Sequence, residues 1–85
     1  MRVINVIVVK GGAVHDIDSF GVFEEQLSSD VVEQAEKLFE KKVLELTDTT
    51  IDDFEDNFGS MESFIEDGYF QYINWSSVCL TWSEI

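Results

Sequence analysis

Two strand-like runs separated by a glycine pair open the chain. The first run spans residues 3–9 and is rich in β-branched side chains, which favour strands. Gly11 and Gly12 follow it, and a second run covers residues 13–18. Two glycines between two such runs are typical of a type I′ turn, whose central residues need positive φ. The pattern predicts an N-terminal β-hairpin.

The turn also predicts a register for this hairpin, with Val9 opposite Val14. Without interruption, the register continues with Ile7 opposite Asp16, Val6 opposite Ile17 and Asn5 opposite Asp18. Alternate side chains of a strand point to opposite sides of the sheet, so the two faces of the hairpin should differ. The predicted core face carries Ile4, Val6, Val8, Ala13 and Ile17, and the other face carries Asn5, Asp16 and Asp18.

Apolar residues then recur at helical spacing. After a connection that contains Phe20, Val22 and Phe23, residues 30–46 form an amphipathic pattern. Its apolar stripe is Val32, Ala35, Phe39, Val43 and Leu46, with Leu38 beside it. Asp30 and Glu33 have the spacing of a reciprocal N-terminal cap, and Glu33 with Lys37 forms a favourable i, i+4 pair. We predict one long helix here.

Shorter helices are predicted in residues 51–67. Ile51, Phe54 and Phe58 restart the helical spacing after residues 47–50 interrupt it, and Gly59 is a typical helix stop. Ser60 is the expected cap of a last short turn, which Gly68 closes. The apolar residues of that turn are Met61, Phe64 and Ile65.

The remaining chain predicts a second hairpin. Three apolar residues alternate with Cys79, Thr81 and Ser83 and indicate a strand: Val78, Leu80 and Trp82. Residues 69–73 are its expected neighbour, with residues 74–76 as the turn. The order of strands, helices and strands predicts an α+β fold with an antiparallel sheet, formed by a single acidic domain over residues 1–85.

Composition excludes several classes of protein. The 85 residues contain 18 Asp and Glu against 5 Lys and Arg, a net charge of −13, and 45% of them are hydrophobic. Such a chain is too apolar for intrinsic disorder and too acidic for direct binding to nucleic acid. Its longest apolar run, residues 6–9, is far shorter than a membrane span and lacks a signal-peptide cleavage site. One cysteine, Cys79, cannot form an internal disulfide, so a cytoplasmic location is expected.

The negative charge is concentrated in residues 48–67. This segment has no basic residue, and it carries Asp48, Asp52, Asp53, Glu55, Asp56, Glu62, Glu66 and Asp67. Apolar residues run through it at helical spacing and should hold the carboxylates in fixed positions on the opposite side. A fixed array of carboxylates resembles the phosphates of a nucleic acid to a protein that grips phosphates with Lys and Arg.

In size and charge the chain resembles the small acidic inhibitors of phages and mobile elements, such as anti-CRISPR and anti-restriction DNA mimics. This resemblance implies an inhibitor whose partner is a basic, nucleic-acid-binding protein. The base-free segment itself predicts a non-enzymatic binding module, and the short apolar runs predict no membrane partner. The candidate partner-binding residues are the acids of residues 48–67, joined by Asp16 and Asp18 if the hairpin lies alongside.

Other functions are open alternatives. One alternative is that the chain is a small structural or accessory subunit, for example a homodimer with an apolar interface at the terminal strand. Its acidity would then serve solubility. A cation site is a further alternative, although an EF-hand frame that starts at Asp48 has Asp53 and Gly59 where the turn glycine and the bidentate glutamate belong. His15 and Cys79 show no metal-ligand spacing or catalytic motif, so neither a metal nor a cofactor is expected.

Aromatic residues near the C-terminus allow two interpretations. Large aromatic side chains dominate small cores, and they also dominate binding hot spots. The group consists of Tyr69, Phe70, Tyr72, Trp75 and Trp82. Core packing is the default interpretation, and Tyr72 or Trp75, next to the predicted turn, is the candidate anchor for a partner.

Overall fold

The computed structural model, which describes residues 2–22 and 29–84, confirms the α+β fold. A β-hairpin is followed by three helices and then by a second hairpin. The elements are β1 (Arg2–Lys10), β2 (Ala13–Val22), α1 (Ser29–Thr47), α2 (Ile51–Phe58), α3 (Met61–Asp67), β3 (Tyr69–Tyr72) and β4 (Ser76–Glu84). Phe23 and the rest of the predicted connection, up to residue 28, lie outside the described residues.

The four strands form one antiparallel sheet in the order β2-β1-β4-β3. The terminal strand β4 is therefore central, with β1 on one side and β3 on the other. Its backbone hydrogen-bonding groups face these two neighbours, so strand-to-strand pairing with a second copy is open only to the edge strands. β2 is the long edge and the four-residue β3 is the short one.

The predicted hairpin is present, but most of its predicted register is wrong. Val9 does pair with Val14, and the register then shifts by one residue, so that Val8 pairs with Asp16 and Ile7 with Ile17. His15 is the extra residue of a β-bulge. A shift of one residue moves every following side chain to the opposite face of the sheet. β2 also continues through Phe20 and Val22, in place of the predicted connection.

The bulge reverses the predicted faces of β2. Asp16 and Asp18 lie opposite Val8 and Val6, on the face that the helices cover, and both are half-buried. Ile17, predicted to be core, lies on the other face with 55% of its surface exposed, and Ala13 is exposed as well. The β1 half of the prediction is confirmed, since Ile4, Val6 and Val8 are buried.

Helix α1 provides most of the second layer. Ala35, Phe39 and Val43 are fully buried against the β1 core residues, and Val32, Leu38 and Leu46 pack around them. The predicted apolar stripe is therefore confirmed. On the outer surface, Lys37 Nζ lies 3.2 Å from Glu33 Oε1, as the i, i+4 spacing predicts. The predicted Asp30 cap lies outside the residues whose side chains are described.

Helices α2 and α3 are held to the sheet by aromatic packing. Phe54 is fully buried, and its ring centroid lies 5.3 Å from that of Phe70 on β3 and 5.6 Å from that of Phe64 on α3. Phe58 at the end of α2 contacts Phe70 and Tyr72 edge to face, at 5.6 and 5.9 Å. Of the apolar residues predicted to anchor the acidic segment, Phe54 and Met61 are buried, whereas Phe58 is 39% exposed.

The ends of these two helices follow the sequence signals, with one exception. Thr50 caps α2 through its hydroxyl, which accepts from Asp53 N at 3.3 Å, and Gly59 and Gly68 end α2 and α3 with positive φ. Ser60 occupies the N-cap position of α3, but its side chain makes no capping hydrogen bond. Glu55 Oε2 accepts from Met61 N instead, at 3.0 Å.

The two faces of the sheet differ in character. The helices lie on the face that carries Ile4, Val6 and Val8, together with Phe70 and Val78. Apart from Val3, which is buried, the residues of the opposite face are half-buried or exposed. We call this opposite face the open face; it consists of Val3, Asn5, Ile7, Val9, Val14, Ile17, Ser19, Gly21, Tyr69, Gln71, Ser77, Cys79, Thr81 and Ser83.

Candidate functional site

The acidic segment forms an exposed surface on the helix layer. Every one of its acids is exposed, whereas Phe54 and Met61 within the same segment are buried. This is the arrangement that the apolar spacing predicts, with side chains anchored beneath and carboxylates outward. We call this set the acidic surface; it consists of Asp48, Asp52, Asp53, Glu55, Asp56, Glu62, Glu66 and Asp67.

On α2 the carboxylates lie side by side. Asp52 is three residues before Glu55 and four before Asp56, and residues so spaced are neighbours on a helix, with Cβ atoms about 5–6 Å apart. Asp52 and Asp53 occupy the first turn, where negative charge interacts favourably with the helix dipole. The favourable position offsets part of their mutual repulsion.

Glu55 links the acids of α2 to those of α3. Its carboxylate accepts from the backbone of Met61, the first residue of α3. It therefore lies at the end of α3 that also carries Glu62, while Glu66 follows one turn later. Glu55 therefore connects α2 to the start of α3 and has a structural role in addition to its charge.

Basic residues are missing from this part of the sequence. No Lys, Arg or His follows Lys42. The ion pairs of Lys37 with Glu33, within α1, and of Lys42 with Asp16 lie elsewhere in the fold. The carboxylates of the acidic surface therefore face solvent without a positive side chain from their own half of the chain.

Asp16 and Asp18 are not part of this surface. Both lie on β2, at one edge of the sheet, whereas α3 contacts β3 at the opposite edge. Asp16 Oδ2 accepts a hydrogen bond of 3.0 Å from Lys42 Nζ. This hydrogen bond holds the pKa of the Asp16 carboxyl below its ordinary value and raises the pKa of Lys42. The predicted contribution of the hairpin acids to one joint surface has no geometric support.

The predicted aromatic group divides into buried and exposed members. Phe70 is buried and Tyr72 is half-buried, whereas Tyr69, Trp75 and Trp82 are exposed. Trp75 is 81% exposed and, with Asn74, forms a turn in which both residues have positive φ. For a bulky residue this conformation is uncommon and strained. The turn begins one residue earlier than predicted, at Ile73, and Ser76 already belongs to β4.

His15 and Cys79 do not approach each other as a catalytic pair would. His15 lies in the bulge of β2, Cys79 lies on β4, and β1 runs between these strands. Partial burial raises the pKa of the Cys79 thiol, which makes it less reactive as a nucleophile. Within residues 2–22 and 29–84, no group of three metal-ligating side chains is placed to hold an ion. None of the described helices is long and apolar enough to cross a membrane.

Comparison with known proteins gives no relative from which a function can be transferred. No protein-family model matches the sequence, and no curated protein or solved structure matches it significantly. Any function of the acidic surface must therefore be argued from its own geometry.

Proposed function

We propose that this chain is a non-enzymatic, cytoplasmic protein-binding module whose acidic surface docks on the nucleic-acid-binding surface of a basic partner. Its sharpest form is an inhibitor that occupies the groove in which the partner would hold DNA or RNA. The observation that carries the proposal is the base-free acidic surface on two helices that are anchored by buried aromatic side chains.

Anchoring matters because it sets how the charges are presented. A flexible acidic tail must lose conformational freedom before its carboxylates match a row of Lys and Arg side chains. On α2 and α3 the backbone is already ordered, so a partner meets carboxylates at fixed spacing. Ordered charges lower the cost of binding and favour surfaces with a matching arrangement of cations.

The charge pattern also favours a partner that binds nucleic acid over a protein that binds acidic proteins in general. Proteins that grip phosphates carry a basic groove and lose affinity steeply as salt rises, because binding releases counterions. The acidic surface presents to such a groove the negative charge that a nucleic acid would present, but without a sugar–phosphate backbone. No cofactor is needed for this function.

The first experiment is a competition between the immobilised chain and duplex DNA. Nucleic-acid-binding proteins enriched on heparin are passed over the chain, and the bound fraction is challenged with DNA and, separately, with a salt series. We expect duplex DNA to displace the bound protein, and we expect its affinity for the chain to fall steeply between about 50 and 200 mM salt. A bound protein that neither DNA nor salt releases contradicts the proposal.

The second experiment uses variants with matched total charge. Asp52→Asn, Asp53→Asn and Asp56→Asn together remove charge from the acidic surface, and Glu55 is left intact because it caps α3. The control removes the same charge from α1 through Glu36→Gln, Glu40→Gln and Glu45→Gln. We expect the first variant to bind the identified partner at least about tenfold more weakly and the control to lose less than about threefold. Equal losses would show that only net charge matters.

A further inference from the structure

The open face of the sheet carries no charged residue at any of its positions. In a chain with 27% charged residues, this is an uneven distribution. The charged residues of β1 and β2 lie at the alternating positions that face the helix layer: Arg2, Lys10, Asp16 and Asp18. Solvent-facing sheet surfaces need polar residues but have no reason to avoid charge, so this segregation calls for an explanation.

The open face also exposes apolar side chains. Ile17 lies opposite Ile7, midway along the edge strand β2, and Val14 lies opposite Val9 near the glycine turn. Ile17 and Val14 are 55% and 61% exposed, and Tyr69 at the β3 edge is exposed as well. Small hydroxyl and amide residues occupy the other end, where Asn5 Nδ2 donates to Ser83 Oγ and Asn5 Oδ1 accepts from Ser19 Oγ, both at 2.7 Å.

We infer that the open face is the interface through which two copies of this chain pack sheet to sheet. Charge favours a second copy of this chain over another protein. Two molecules of charge −13 repel each other unless the contact keeps their carboxylates apart. The open face is the surface on which this condition is met, because neither sheet brings a charge to the contact.

Distances support this geometry. Face-to-face sheets pack about 10 Å apart, and each helix layer lies about 10 Å beyond its own sheet. The two acidic surfaces are then about 30 Å from each other, several times the Debye length of about 8 Å at physiological salt. Their repulsion is largely screened, and both remain accessible on the outer sides of the dimer.

The size of the face sets the strength of the association. Strands of nine, ten and nine residues with the short β3 beside them cover roughly 500 Å² per copy, from the usual rise and spacing of strands. Stable interfaces bury about 800 Å² per partner, and smaller ones form weaker, reversible complexes. We therefore expect a dimer that dissociates in the micromolar range.

Sedimentation over protein concentrations from about 1 μM to 1 mM tests the inference. We expect a monomer–dimer equilibrium that Ile17→Asp and Thr81→Asp each weaken at least about tenfold, since a symmetric contact places each new charge in an uncharged interface. Both positions are exposed, so the folded monomer should tolerate the changes, which circular dichroism checks. Ser63→Asp, on the exposed side of α3, adds the same charge to the helix layer and should change the dissociation constant less than about twofold.

Cys79 reports on the same face independently. It is the one cysteine of the chain and lies on β4 opposite Ile7. We expect its rate of alkylation by iodoacetamide to fall severalfold as the protein concentration passes the dissociation constant.

Three results would each overturn the inference: a chain that stays monomeric to about 1 mM, face variants whose dissociation constant matches that of Ser63→Asp, or a dimer that leaves Cys79 equally reactive. The last result would indicate pairing at the β2 edge. The two face variants, Ile17→Asp and Thr81→Asp, leave the acidic surface unchanged, so this inference and the proposed function can fail separately.

Discussion

At the level of single residues, Gly68 is the most constrained glycine in the described structure. It ends α3 with φ of 69° and starts the return to the sheet. A Cβ at this position would lie 2.7 Å from the carbonyl oxygen of Leu80, and the Gly68 carbonyl accepts from Leu80 N at 2.8 Å. The residue therefore joins the helix layer to β4 at a distance that only glycine permits.

Gly68→Ala should lower the free energy of unfolding by about 2–4 kcal/mol, the sum of a left-handed backbone penalty and a steric one. Gly11→Ala is the matched control, because Gly11 has a similar φ of 61° but open space where a Cβ would lie. We expect it to cost only about 1 kcal/mol. Urea denaturation at a concentration where the chain is monomeric measures both. Equal losses would mean that the close approach to Leu80 relaxes without cost.

The sequence predicts only half of this constraint. A glycine after an apolar helical stretch indicates a left-handed helix end, and Gly68 is recognisable on that basis. The contact with Leu80 depends on which strand passes beside α3, and local sequence carries no information on that neighbour. Trp75 shows the same limit, since nothing in its local sequence predicts that a tryptophan adopts positive φ at an exposed turn.

At the level of elements, periodicity predicts the helices and hairpins but not the bulge in β2. An apolar stripe is repeated many times along a helix, so one exception does not change the prediction. A bulge is a single extra residue, and His15 has no feature that marks it as one. The alternation of apolar and polar residues gives the correct faces for β1, whereas the wrong register places Asp16, Ile17 and Asp18 on the wrong faces.

The ion pair between β2 and α1 is a consequence of the bulge. Because Asp16 faces the helix layer, its carboxylate reaches Lys42, whereas the uninterrupted register would have pointed it away. The depressed pKa of Asp16 means that this contact favours the folded state above the unfolded pKa of about 3.9 and is lost as the pH falls through the folded pKa. The pKa of Asp16 can therefore be used to test the register between β1 and β2.

Lys42→Met should return the pKa of Asp16 toward its ordinary value, as followed by NMR titration of the side-chain carboxyl carbon. The difference in stability between the wild type and this variant should shrink as the pH is lowered below about 4, because the protonated Asp16 no longer gains from Lys42. Lys41→Met removes the same charge from an exposed position on the same helix and should shift the pKa of Asp16 less. An unchanged pKa in Lys42→Met would argue against the bulged register.

The cap of α3 illustrates a second limit at this level. Ser60 has the residue type and the position of an N-cap, yet the Met61 N–H is satisfied by Glu55 from the preceding helix. To predict a capping residue that comes from another helix, one must know the angle between the two helices, and the sequence pattern does not specify this angle. Glu55 would otherwise be counted as one more surface acid.

At the level of the whole molecule, the structure shows on which side the negative charge lies. The sequence alone identifies residues 48–67 as the segment with the most negative charge, and their acids are exposed as predicted. Two features can be recognised only from the structure. They are the separation of Asp16 and Asp18 from that segment, and the uncharged open face opposite the helix layer. The molecule therefore has an acidic side and a neutral side.

Concentrated charge also has a cost that can be measured without any partner. Carboxylates held close together on α2 and α3 repel one another, and this repulsion opposes folding most strongly at low salt, where the Debye length is about 30 Å at 0.01 M. We expect the Tm of the monomeric chain to rise by about 5–10 °C between about 0.01 M and 0.5 M NaCl, which corresponds to about 1–2 kcal/mol for a domain of this size.

The two charge-matched variants locate the origin of this salt effect. If the repulsion arises within the acidic surface, replacing Asp52, Asp53 and Asp56 by asparagine should reduce the salt-dependent gain in Tm more than the three α1 substitutions do. Salt also strengthens apolar burial, but that contribution is the same in both variants and cancels in the comparison. Equal salt responses would show that the repulsion is spread over the whole molecule. Repulsion confined to the acidic surface would support its proposed role in docking, whereas a uniformly distributed repulsion would support solubility as the role of the charge.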